Sequence, residues 1–135
     1  MADDMIVAWA LHNLGHVALQ SDDSSTAAAR FRESLLLRWR SGPGTDFAAS
    51  LAGMAGVALR RGELSEAVRL FGAVDGMLES RHWVLSPADE RVRREDLAAI
   101  RLRIDTDAFD AAFREGQAAT FDELEARLPK ISAGR

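Results

Sequence analysis

Two histidines, His12 and His16, stand four residues apart in LHNLGHVAL. On a helix that spacing brings both imidazoles to one face, within reach of a single metal ion. A zinc centre wants three or four protein ligands, and near the pair the sequence supplies no cysteine and no HExxH motif, while Asp22 and Asp23 fall in the turn that follows. The expectation is therefore no metal and no cofactor, with the two rings exposed or lining a groove. His82 stands beside Trp83 and reads as linker packing. No Ser-His-Asp order, no pair of carboxylates placed for acid–base work and no glycine-rich phosphate loop stands out, so no enzymatic activity is expected.

The other residues with chemical reach are arginines: Arg30, Arg32, Arg38 and Arg40, then Arg60 and Arg61, then Arg91, Arg93, Arg94, Arg101 and Arg103. They could form a phosphate-binding strip. They are interleaved with Glu33, Glu63, Asp89, Glu90, Glu95 and Asp96, at the three- and four-residue spacings of ion pairs on solvated helix faces. The net charge of −4 also opposes long-range attraction of nucleic acid. Direct nucleic-acid binding is not expected.

The elements that position these residues come from an internal repeat. Leu11–Phe31 returns as Leu51–Phe71 at a constant offset of 40 residues, which puts Leu14 on Met54, Val17-Ala18-Leu19 on Val57-Ala58-Leu59, Ala27 on Ala67 and Phe31 on Phe71. A match kept over the length of a helix-turn-helix implies a repeat architecture. The spacing predicts helices over about 4–20, 26–40, 46–61, 64–81, 87–104 and 107–117, with a last short one from the capping box Thr120-Phe121-Asp122-Glu123 to about Pro129. Thr45 is the expected cap of the third helix, and Ser86 with Pro87 opens the fifth. On the second helix Ala27, Phe31, Leu35 and Leu36 should face inward, with Arg38 and its fellow arginines outward. The third helix is so rich in alanine and glycine that neighbours on both sides must hold it. One domain over 1–135 is expected, with repeat one at about 4–41, repeat two at about 45–82 and capping helices at about 86–129.

Composition agrees with an all-α fold. Hydrophobic residues make up 47% and charged residues 28%, with three prolines and no tyrosine. Without cysteine there is no disulfide or thiolate site. The N-terminus is acidic before its apolar run, unlike a signal peptide, and no stretch reads as a membrane span, so the default location is cytoplasmic.

Within each copy, Leu11, Leu14, Gly15 and Ala18, followed by Ala27 and Phe31, resemble the tetratricopeptide pattern, in which small residues let paired helices approach and a phenylalanine fills the gap. Over nearly the whole chain, ALHNLGHVALQ, AAARFRESLLL, Ala67 with Leu70-Phe71-Gly72-Ala73, and Phe109, Phe113 and Gly116 resemble the C-terminal region of bacterial LuxR-type ATP-dependent transcriptional regulators. The resemblance implies a non-catalytic helical-repeat module for protein or peptide partners. Its concave wall would carry Trp9, His12, Asn13 and His16 from the first copy and Ala49, Ala52, Gly53 and Gly56 from the second. These are not the Lys and Asn of a carboxylate clamp. An alternative use of the alanine- and glycine-lined wall is to admit a small-molecule effector beside Trp9. Finally, the first helix is apolar on more of its circumference than one partner can cover, so Ile6, Trp9, Ala10 and Val17 are expected at a homodimer contact.

Overall fold

Alanine-rich segments separated by glycine, proline and Asx stops fold into six helices in the computed structural model, which describes residues 2–119 and 123–124. They are α1 (Ala2–Gln20), α2 (Ser24–Arg40), α3 (Thr45–Arg60), α4 (Leu64–Arg81), α5 (Pro87–Arg101) and α6 (Thr106–Gln117). No strand occurs among the described residues. The helix expected over 120–129 lies outside them except for Glu123 and Leu124, which are helical.

The 40-residue offset reappears in the backbone. In the α1–α2 turn Asp22 adopts φ 58°, and in the α3–α4 turn Gly62 adopts φ 77°. Each turn closes with the same bonds: Asp23 N–H to the Ala18 carbonyl at 2.9 Å and Glu63 N–H to the Ala58 carbonyl at 2.9 Å. The two hairpins are one design used twice.

Phe31 of α2 shows how the small residues work. A methyl group on Gly15 of α1 or on Gly53 of α3 would lie 2.7 Å and 2.5 Å from its ring, so both glycines make room for the same phenyl group. Phe31 and Phe71 are both fully buried. The small side chains of α3 let α1, α2, α4 and α5 all close on it, and from Phe47 to Leu59 every residue but Ala52 is buried.

Several expectations need correcting. Gly44, in extended backbone, takes the N-cap of α3, so Thr45 is already helical and makes no cap bond. Asp105 caps α6, which begins at Thr106, and accepts from the N–H groups of Asp107 and Ala108 at 3.1 and 3.3 Å. The chain must therefore turn before Asp105, and α5 stops at Arg101 instead of reaching Ile104, leaving Leu102 89% exposed. Arg38 is buried, not solvated, because its guanidinium turns across to Asp46 at the start of α3, 3.3 Å away. Leu36 faces outward.

The last two helices take different places on the repeats. α6, not α5, packs along α4, and there the backbones touch. A Cβ on Gly72 would strike the Phe113 carbonyl oxygen, and one on Gly116 the Arg69 carbonyl oxygen. α5 instead lies against α3 on the side of the wall formed by Ala49, Ala52, Gly53 and Gly56, and its first turn reaches α1.

Candidate functional site: a histidine pair under the first turn of α5

Ser86 and Pro87 start α5 as their types dictate, and Asp89 sits three residues past the cap. Its backbone N–H donates to Ser86 Oγ at 3.2 Å, while the Ser86 hydroxyl donates to Asp89 Oδ2 at 3.0 Å. That reciprocal pair fixes the carboxylate and leaves Oδ1 facing α1. Oδ1 lies 3.2 Å from His12 Nε2 and 3.6 Å from His16 Nε2. The helical spacing of the two histidines and the capping box of α5, 77 residues away from His12, thus converge on one point.

Behind His12 runs a chain of hydroxyls. Its Nδ1 is 3.0 Å from Ser50 Oγ of α3, Ser50 Oγ is 3.1 Å from Ser34 Oγ of α2, and Ser34 donates to the Ala8 carbonyl at 2.8 Å. Ser34 and Ser50 are buried and His12 nearly so. Phe31, held by Gly15 and Gly53, forms the floor, with ring centroids 5.5 Å from His12 and 5.1 Å from His16 in edge-on contact. The two imidazoles meet edge-on at 4.7 Å. His16 Nε2 is shut off from solvent and makes no hydrogen bond.

Charge is arranged to match. His12 above all, then His16, holds the Asp89 carboxyl well below the ordinary carboxylate range, against the opposing effect of burial. Seven residues on, Asp96 behaves oppositely: burial pushes its carboxyl up, and Arg60 of α3, 3.5 Å away, only partly counters it. Asp96 reaches the helix wall at Gly56, where an added Cβ would sit 3.0 Å from Oδ2.

Of the residues expected on the concave wall, His16, Ala49, Ala52, Gly53 and Gly56 line one small cavity with Asp89 and Asp96, and His12 adjoins it through Asp89. Trp9 and Asn13 do not join them; both are exposed. The cavity measures about 10 Å³, room for about one water. An open groove for a peptide or an effector is not what this wall offers while α5 is in place. Asp89, Ser50 and Ser34 were not singled out as site residues from the sequence. The Ser-Pro-x-Asp start of α5 is legible, but nothing in it says that the carboxylate will be delivered to α1.

No family model matches the chain, and no curated protein or solved structure matches it.

Proposed function

We propose that the chain is a non-catalytic helical-repeat interaction module, akin to the tetratricopeptide-like C-terminal region of LuxR-type regulators, that works in the cytoplasm and pairs with a second copy through the outer face of α1. One observation carries this reading: Ile6, Trp9, Leu14 and Val17 stand 65, 62, 50 and 56% exposed on a single helix, with Met5 and Val7 beside them. So many large apolar side chains in water mark an interface.

The repeat indicates what kind of surface this is. At the 40-residue offset, Val7, Ala10, Leu14 and Val17 correspond to Phe47, Ser50, Met54 and Val57, all buried. Phe47 meets Trp39 of α2 and Ser50 meets Ser34 of α2. The stripe by which α3 stacks on the preceding hairpin is therefore the stripe that α1 leaves bare. Its natural occupant is another helix of the same kind, and a twofold axis supplies one from a second copy. Among the arginines that could form a phosphate strip, Arg30, Arg38, Arg60 and Arg93 are each within ion-pair distance of an Asp or Glu, which favours paired helix faces at those four positions.

The test uses Trp9 as its own reporter. With Trp39 and Trp83 replaced by phenylalanine and the helical circular dichroism unchanged, emission should shift to shorter wavelength as the protein is raised from nanomolar to tens of micromolar. Emission independent of concentration would refute the assignment of Trp9 to the contact.

A further inference from the structure

We propose that His12, His16 and Asp89 form a divalent transition-metal site, best suited to zinc, that clasps the first turn of α5 to α1. One ligand atom from each of His12, His16 and Asp89 lies within 4.8 Å of the other two, and all three residues are zinc-ligand types. The distances from Asp89 Oδ1 to the two nitrogens, 3.2 and 3.6 Å, are long for a hydrogen bond between a charged pair, which settles at about 2.7–2.9 Å. They bracket the separation of neighbouring ligands on a tetrahedron, about 3.3 Å for zinc bonds of ~2.0–2.1 Å.

Counting protons leads to the same place. Ser34 gives its one hydroxyl proton to the Ala8 carbonyl, so in the Ser34–Ser50 pair Ser50 must be the donor. The Ser50 oxygen then accepts from His12, which puts the imidazole proton on Nδ1. In the neutral ring Nε2 presents a lone pair, and it faces a carboxylate oxygen. His16 Nε2 faces the same oxygen, buried and without a hydrogen bond. Protons answer the two encounters only separately, as an imidazolium at His12 and an Nε2–H tautomer at His16. One cation relieves both.

The surroundings are those of a metal centre. A ligating histidine normally donates its second N–H to a fixed acceptor, as His12 does to Ser50, and ligating carboxylates are themselves hydrogen-bonded, as Asp89 is to Ser86. The adjoining cavity, bordered by His16, Asp89 and Asp96, has room for one water as the fourth ligand. Filled, the site would tie together residues 77 apart in sequence and hold α5 over the α3 wall. The metal would so govern whether that wall is covered.

The experiment takes the untagged chain, stripped with a chelator, and adds zinc under calorimetry and thermal unfolding. One zinc per chain should bind, and the melting temperature should rise with zinc but not with magnesium. Cobalt in place of zinc should give the visible absorption of a tetrahedral centre. Asp89→Asn and His16→Ala, each checked for intact helical circular dichroism, should abolish that absorption and the thermal shift. Ser50→Ala, which touches no ligand atom, should weaken zinc binding by about 10–100-fold. Absence of zinc binding by the native chain would overturn the proposal, and so would binding that survives Asp89→Asn and His16→Ala unchanged.

Discussion

Two carboxylates on one face of α5, Asp89 and Asp96, meet opposite treatment, and the difference can be measured. Asp96 faces Arg60 from α3, with Glu95 beside it on α5 and His16 across on α1, yet burial outweighs the attraction and raises its pKa above the ordinary 3.8. Between 3.8 and the raised folded value the native state holds more protons than the unfolded chain. Stability contributed by this group therefore falls as pH rises through that window, and the cost is fully present above it. Asp96→Asn is expected to melt higher than the native protein at pH 7, with the gain shrinking as pH falls through the raised folded value toward 3.8 and absent below it. A lower melting temperature at pH 7 would show that the Arg60 pair outweighs burial. Backbone strain makes a second residue-scale case. Asp22 and Gly62 hold the same left-handed position in equivalent turns, and only glycine does so freely. Asp22→Gly should stabilise by up to about 1 kcal/mol, while Gly62→Ala should cost about 1–2 kcal/mol, both read from urea unfolding. A stabilising Gly62→Ala would contradict the equivalence.

At the level of elements, what the sequence makes legible is periodicity and punctuation. The repeat marked α1 to α4, and Gly42-Pro43-Gly44 and Ser86-Pro87 set their breaks, because backbone limits on glycine and proline act locally. The site was only half legible: His12 and His16 lie on one turn, whereas Asp89 arrives by tertiary packing of α5. The placement of α6 on α4 was hidden for the same reason. Gly72 and Gly116 are visible as residues, but not that they face each other. Two substitutions test these packings. Phe31→Ala should cost roughly 3–5 kcal/mol, since Gly15 and Gly53 cannot refill the space. Gly116→Ala should cost about 1–3 kcal/mol by driving α6 off the Arg69 carbonyl, although alanine favours an isolated helix. A neutral result at Gly116 would mean that α6 does not lie so close to α4.

For the whole molecule, the two ends of the array differ. Along α4 the stack is continued by α6, and the α3 wall is covered by α5, whereas α1 turns a stripe of apolar side chains to solvent. Among the described residues no helix is long and apolar enough to cross a membrane. Burial of a side chain such as Leu14, Val17 or Ile6 is worth about 1.5–3 kcal/mol, and a twofold contact buries each twice. That is enough for association at micromolar concentration once the entropy of docking is met. The direct measurement is sedimentation equilibrium from about 1 to 100 µM, on the native chain and on Leu14→Glu, whose charge would lie in the contact without touching the core. The expected result is a twofold mass for the native protein and a monomer for Leu14→Glu, with identical helical spectra. A native chain that stays monomeric throughout, or a dimer indifferent to Leu14→Glu, would contradict pairing through α1.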